Sequence, residues 1–127
     1  MKKFIMLGGF MALLSVGLGA FGAHALSDFL ETKGYVDVWD KAVTYQMSHA
    51  LGLILIGILM SKNIFGPVKQ LNWAGYLLLV GIILFSGSLY AMALSGVKVL
   101  GAITPIGGVS FLAGWILVML AANKHAK

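Results

Sequence analysis

The sequence GLGAFGAHAL, residues 17–26, closes the first long apolar run of this 127-residue chain. Its glycines and alanines allow a second helix to approach closely, as small residues do where membrane helices pack. The run ends near a histidine, His24. An ionisable side chain at the edge of a membrane span is a functional candidate by default. The stretch therefore predicts a membrane helix with a packing face and a polar group near its end.

The composition is typical of a membrane protein with one domain. Hydrophobic residues make up 60% of the chain and charged residues 10%, against about 45–50% and about 25% in soluble domains. The net charge is +5, but every basic residue is a lysine, and the lysines are scattered as in the flanks of membrane helices. We therefore expect a lipid bilayer around the protein and no nucleic-acid partner. Disulfides and cysteine metal sites are excluded because the chain has no cysteine.

Four apolar runs have the length needed to cross about 30 Å of hydrocarbon. They predict an all-α integral membrane protein in which four transmembrane helices form a compact bundle, a single membrane domain over residues 1–127. The predicted spans are about 4–26, 42–61, 73–95 and 105–122. The first run is longer than the apolar region of a cleaved signal peptide, which has about 7–15 residues. We expect it to remain as a span.

Between the first two spans, residues 27–41 interrupt the apolar pattern. This segment contains all the acidic residues of the chain: Asp28, Glu31, Asp37 and Asp40. Asp28 and Glu31 have the spacing of a capping box, which predicts the start of a short helix that Gly34 would end. With Trp39 among the charges, the segment is predicted to be amphipathic and to lie on the membrane surface. The alternative, a cation site, is less favoured because carboxylates on an exposed loop are usually solvated.

Small residues recur at steps of three and four on the first and fourth predicted helices, so that each set lies on one helical face. The predicted packing residues are Gly8, Ala12, Ser15, Gly19 and Ala23 on the first helix, and Gly107 and Gly114 on the fourth. In lipid, close approach of backbones at small residues drives helix association. The dipeptide Thr104-Pro105 predicts the start of the fourth helix, with threonine as N-cap and proline at the first helical position.

Polar side chains fall in the half of the predicted bundle that faces away from the chain termini. The candidate polar cluster is His24, Tyr45, His49, Ser86 and Tyr90. Within it, Tyr45 and His49 are four residues apart and share a helical face, as do Ser86 and Tyr90. Because an unpaired polar group is costly in hydrocarbon, we predict one interhelical hydrogen-bonded cluster.

Three roles remain open for the two histidines, His24 and His49. They are neutral structural groups, a protonation-sensitive or ligand-contacting site, or ligands of a metal or haem. The third role lacks a further strong ligand in the spans and a c-type haem motif. We therefore expect no metal, no cofactor and no catalytic residue.

The lysines predict the orientation. With four spans, both termini and the loop 62–72 share one side, which holds Lys2, Lys3, Lys62, Lys69, Lys124 and Lys127, whereas the other side holds Lys33, Lys41 and Lys98. Since basic residues concentrate on the cytoplasmic side, both termini are expected in the cytoplasm.

Several motifs carry a family resemblance along almost the whole chain. They are GAFGAHAL (19–26), YQMSHALGL (45–53), FSGSLY (85–90), GAITPIGG (101–108) and AGW (113–115). In this order they resemble the YgdD/YwdK-like family of small bacterial integral membrane proteins of unknown function, which is related to the eukaryotic transmembrane protein 256 family. The resemblance implies a four-span protein of the bacterial plasma membrane. It brings no catalytic residue, ligand or partner.

The sequence leaves three classes of function. A structural or accessory membrane component, acting through helix contacts with a second copy or another membrane protein, is favoured by the small-residue faces and the lack of a catalytic constellation. A small oligomeric transporter or channel would have to use His24 and His49, because no acid or lysine lies in the middle of a span. A membrane enzyme is least favoured.

Overall fold

The computed structural model describes residues 1–126, and these form helices joined by short turns. The elements are α1 (Lys2–Ala23), α2 (Ser27–Lys33), α3 (Val36–Leu59), α4 (Lys69–Gly81), a π-helical segment (Ile82–Ser86), α5 (Gly87–Ser95), a 3₁₀ helix (Lys98–Ala102) and α6 (Thr104–His125). Since α4, the π-helical segment and α5 run on without a break, the described part of the chain has four helical stretches long and apolar enough to cross a membrane. The predicted all-α architecture with four spans is confirmed.

The segment between the first two spans differs from the prediction. Residue Gly34 ends α2 in the left-handed conformation, with φ of 77°, as expected for a helix stop. The start of α2 has no side-chain cap, so the predicted capping box does not form. The second span begins at Val36 rather than near residue 42, so that the predicted surface segment is shorter and Trp39 belongs to α3.

The indole of Trp39 is buried between helices instead of lying on the surface of the protein. Its side chain is 2% exposed, and its Nε1 donates a hydrogen bond to the backbone oxygen of Leu18 at 2.9 Å. The ring fits against α1 because Gly22 has no side chain there, and a Cβ at Gly22 would collide with the indole. The expectation that Trp39 lies in a surface segment outside the second span was therefore wrong, and the residue joins α1 to α3.

Residue Thr104 also has a different role from the predicted one. It is the first residue of α6, the N-cap position is Ile103, and Pro105 lies in the first turn. The Thr104 hydroxyl pairs with the Ser88 hydroxyl at 2.6 Å instead of capping the helix. This bond joins the start of α6 to α5.

The four spans form two antiparallel pairs that meet through their inner helices. In the first pair, Gly8 of α1 lies against Ala50 of α3, and Gly22 lies against Trp39. The second pair is α6 on α4 and the π-helical segment. The inner helices α3 and α4–α5 then pack on each other around a core that includes Phe4, Leu53, Ile56, Leu71, Leu78 and Phe111.

The packing face of α1 follows a repeat of seven residues. Gly8, Ser15 and Gly22 are buried, and the Ser15 hydroxyl donates to the Val43 carbonyl at 2.9 Å. Of the other residues predicted for this face, Gly19 is looser, since a Cβ there would lie 3.2 Å from Val43 Cγ1. Ala12 is half-buried, and Ala23 is exposed and does not belong to the face. On a helix that packs against one partner helix, residues seven positions apart stay in the contact. A series of small residues that continues to Ala23 leaves this contact.

On α6, Gly107 and Gly114 lie in the contact with the inner helix. A Cβ at Gly107 would collide with the backbone nitrogen of Phe85. A Cβ at Gly114 would lie 3.3 Å from the carbonyl oxygen of Ala74. Both glycines therefore allow backbone-to-backbone approach, in the way predicted from their spacing.

Two adjacent glycines of α1 provide a test of this packing. A Cβ at Gly8 would lie 2.6 Å from the Ala50 carbonyl oxygen, whereas a Cβ at Gly9 meets no atom within 4 Å. We expect Gly8→Ala to lower the free energy of unfolding by about 1–3 kcal/mol, the usual cost of overpacking. The matched control Gly9→Ala should be neutral or slightly stabilising, since alanine favours helix. Unfolding by sodium dodecyl sulfate in mixed micelles measures both, and equal losses would contradict the assigned face.

Candidate functional site

The amide of Gln46, in the middle of α3, connects three helices. Its side chain is buried. Its Nε2 donates to the backbone oxygen of Met11 in α1 at 2.9 Å, and its Oε1 accepts from the Tyr90 hydroxyl in α5 at 2.6 Å. Since an amide offers donors on one atom and an acceptor on the other, one residue satisfies partners on both sides of α3.

A serine hydroxyl makes the second contact between α3 and the third span. Ser86, at the end of the π-helical segment, is fully buried. Its Oγ donates to the Ala42 carbonyl at 2.7 Å. Beside it, the Tyr90 ring meets the Trp39 ring edge-on, with centroids 4.8 Å apart. The predicted site residues Ser86 and Tyr90 thus lie in the contact between α3 and the third span.

Both ring nitrogens of His49 have partners, and the partners define its tautomer. Nδ1 lies 2.8 Å from the Tyr45 carbonyl oxygen, and the Trp115 Nε1 donates to Nε2 at 3.0 Å. A carbonyl can only accept and an indole N–H can only donate. The proton of the neutral ring is therefore on Nδ1. A second proton on Nε2 would face the indole N–H and break that bond.

Aromatic rings surround His49 on the side of α6. We call Tyr45, His49, Phe85, Phe111 and Trp115 the His49 cluster. The imidazole stacks on the Phe111 ring at 3.6 Å between centroids, and the Tyr45 ring lies 4.4 Å from that of Phe85. A groove of about 460 Å³ runs along the cluster between α3 and α6. The Tyr45 ring, 41% exposed, forms part of its wall.

The five predicted site residues therefore do not form one cluster. Tyr45 and His49 face α6, whereas Ser86 and Tyr90 bond to Ala42 and Gln46 of α3. His24 belongs to neither group. It is exposed in the turn after α1, where its backbone oxygen accepts from the Ser27 hydroxyl at 3.0 Å. The inclusion of His24 was an error that came from extending the first span to residue 26, three residues beyond the observed helix end.

Three residues with a central role were absent from the predicted cluster: Gln46, Ser110 and Trp115. Ser110 donates to the Leu77 carbonyl at 2.6 Å. A usable signal was present for Trp115, because a tryptophan N–H within a membrane span has to find its acceptor in the protein. For Gln46 the signal was an amide side chain in the middle of a membrane helix, which has to find partners in lipid.

The arrangement is not that of a metal centre within residues 1–126. No group of three or more histidine, aspartate or glutamate side chains is placed there to hold an ion. The imidazole of His49 would have to release Trp115 or the Tyr45 carbonyl before it could bind one. The buried polar side chains of the spans are hydrogen-bonded to backbone carbonyls of neighbouring helices or to other side chains.

Four apolar helices whose buried polar side chains pair across helix contacts define a multi-pass membrane protein. The family described as "Protein of unknown function (DUF423)" matches residues 18–108. A "UPF0382 membrane protein" of Staphylococcus epidermidis is 52% identical over 99% of both chains. The "UPF0382 membrane protein YwdK" of Bacillus subtilis is 48% identical over 98% of this chain and 99% of its own. No solved structure was found to match. The chain belongs to this DUF423 family of membrane proteins, as its motifs indicated.

The bond between His49 and Trp115 leads to a prediction for stability. His49→Ala leaves the indole N–H unpaired and empties the space beside Phe111, so we expect a loss of about 1 kcal/mol or more in the free energy of unfolding, as for other membrane hydrogen bonds. Leu51→Ala, at a lipid-facing position two residues further on, is the control and should cost less.

A double-mutant cycle separates the hydrogen bond from the packing. Trp115→Phe removes the N–H while retaining an aromatic ring. If the bond is formed, Trp115→Phe costs less in the His49→Ala background than in the native chain, with a coupling of about 0.6 kcal/mol and at most about 1.7. Unfolding titrations in mixed micelles give the four values. Strict additivity would show that the bond contributes nothing.

Proposed function

We propose that this protein is a structural or accessory component of the bacterial plasma membrane, which acts through contacts of its outer helix faces with a second copy or another membrane protein. The observation that carries the proposal is that the polar side chains inside the bundle already have hydrogen-bond partners. Gln46, Ser86, Ser110 and both nitrogens of His49 are bonded within the chain. Since these groups already hold the helices together, the role that remains is one of surface contact.

The outer helices supply large apolar surfaces for such contacts. On α1, Leu13 is 65% exposed, and on α6, Leu112 is 66% exposed. Both lie in the middle of their helices, at the depth of the hydrocarbon. Lipid covers such faces in an isolated protein, and a partner helix competes with lipid through close packing.

A second candidate function, a small oligomeric transporter or channel, is favoured by one observation. The groove of about 460 Å³ beside the His49 cluster runs along α3 and α6, and a second copy against α6 would cover it. The proposed accessory role ranks first because transport through this groove would require His49 to exchange the partners it holds.

Both termini are proposed to be cytoplasmic. Six lysines, counting Lys127 outside the described residues, lie on the side of the termini, against three on the other side. All four acids lie on the side with three lysines. Lysine excess on the side of the termini supports this orientation.

Thiol labelling in intact cells tests the orientation in a chain that has no native cysteine. Asn63→Cys places a thiol in the exposed turn after α3, and Ser95→Cys places one at the exposed last residue of α5. An impermeant maleimide should react at residue 95 and should reach residue 63 only after the cells are opened. Labelling of both positions from outside would contradict the four-span topology, and the reverse pattern would invert it.

Photocross-linking in native membranes tests the accessory role. A photoreactive amino acid at Leu13 or Leu112 should give discrete protein adducts from at least one outer face, and the same residue at the lipid-facing Leu55 of α3 serves as the control. Adducts with lipid alone at both faces would contradict the proposal. Solute flux through liposomes containing the purified protein would instead favour the transporter.

A further inference from the structure

At the end of the molecule that bears the termini, the loop after α3 meets the end of α6 around a cavity of about 690 Å³. Its lining consists of Lys62, Asn63, Ile64, Phe65, His125 and Ala126. These residues lie at the C-terminal end of α6 and directly after that of the second span, so the cavity is at the membrane edge. It shares no residue with the His49 cluster.

One atom in this lining is buried without a partner. The Nε2 of His125 has no hydrogen bond within residues 1–126. Buried polar atoms in native proteins nearly always have a partner, which is a protein group, a water or an ion. His125 lines the cavity, but its Nε2 is itself buried, so a molecule bound there would reach this nitrogen only after a rotation of the imidazole ring.

The other polar groups of the lining favour an anion. Lys62 brings an ammonium and Asn63 an amide N–H₂, and the imidazole Nε2 donates in one neutral tautomer and in the charged form. The acids of the chain all lie between residues 28 and 40, at the opposite end of the spans. Phosphate is the anion that such a set of donors fits, since it accepts several hydrogen bonds at once.

Neutralisation of helix dipoles gives a competing account of the basic residues. Cations near helix C-termini interact favourably with the last carbonyls, and both α3 and α6 end here, with Lys124 and His125 in the last turn of α6. That account would pair the imidazole with a terminal carbonyl. It does not explain why Nε2 is buried and unpaired.

We propose that this cavity binds a phosphate group, whose sources are the headgroup of an anionic phospholipid and soluble phosphate. The apolar part of the lining fits the lipid source. Ile64 is 47% exposed beside the polar groups, and Phe65 packs against the core. An acyl chain beside Ile64 and a phosphate among Lys62, Asn63 and His125 would match the two halves of the lining. The proposal is independent of the accessory role proposed above.

The test uses the purified full-length protein in a neutral detergent. Native mass spectrometry and thermal unfolding are followed during titration with phosphatidylglycerol, phosphatidylcholine or inorganic phosphate. We expect phosphatidylglycerol to bind and to raise Tm, and phosphatidylcholine to do neither. Lys62→Gln and His125→Phe should each weaken this binding roughly tenfold, the factor for one lost hydrogen bond to a charged group.

Two lysine variants are the matched controls. Lys69→Gln removes the same charge at the same end, from a residue outside the lining, and Lys98→Gln removes it at the opposite end. Both should retain binding. Because Lys62 is an exposed side chain in a turn, its variant should fold even if His125→Phe does not.

The outcomes distinguish a lipid headgroup from soluble phosphate as the source of the phosphate group, and they can contradict the proposed site. Equal binding of inorganic phosphate and phosphatidylglycerol at matched concentration identifies soluble phosphate as sufficient, and binding of the lipid alone identifies the headgroup. A loss with Lys69→Gln as large as that with Lys62→Gln would show attraction by surface charge and overturn the proposal. Absence of binding by phosphatidylglycerol and by phosphate would also overturn it.

Discussion

Inside a bilayer a polar side chain has to find its partner within the protein, and here the partner is most often a backbone carbonyl of the neighbouring helix. The donors are Ser15, Trp39, Gln46, Ser86 and Ser110. A helical carbonyl already accepts one bond within its own helix, but it has a second lone pair for such a donor. Short side chains such as serine reach it only when the two backbones are close. The small residues of the packing faces are therefore the condition for the hydrogen bonds.

The helix α3 is hydrogen-bonded to each of the other three spans. It meets α1 and α5 through Gln46, the π-helical segment through Ser86, and α6 through His49. Each of these contacts has its own direction around the helix axis. Sliding or rotating α3 by one residue would break all of them, because every donor would lose its acceptor together. The polar residues thus fix the register of the bundle together with the close contacts at the glycines of the packing faces.

The number and approximate position of the spans could be predicted because they depend on run length and apolarity alone. The start of α3 could not, because Asp37 and Asp40 are tolerated on its exposed side while Trp39 is buried on the other. The average hydropathy of the segment cannot distinguish the exposed side of the helix from its buried side. Whether Gly22 or Ala23 lies in the packing face of α1 depends on the path of the helix against which α1 packs. The pairing of His49 with Trp115 depended on which face of α6 turns inward, and the sequence of either helix alone does not contain that information.

The two outer helices use the same device in opposite chain order. In the first pair the outer helix comes first, and Ser15 donates to the inner helix at Val43; in the second pair the outer helix comes last, and Ser110 donates to the inner helix at Leu77. If the chain were a tandem copy of a two-helix unit, α1 would correspond to the third span and α3 to α6. Each of these correspondences would match an outer helix with an inner one. A tandem copy therefore does not account for the correspondence between the pairs, whereas the shared lipid environment does so through a simple constraint. Each outer helix has one protein-facing side, and small residues with a serine are a compact way for that side to reach a backbone in lipid.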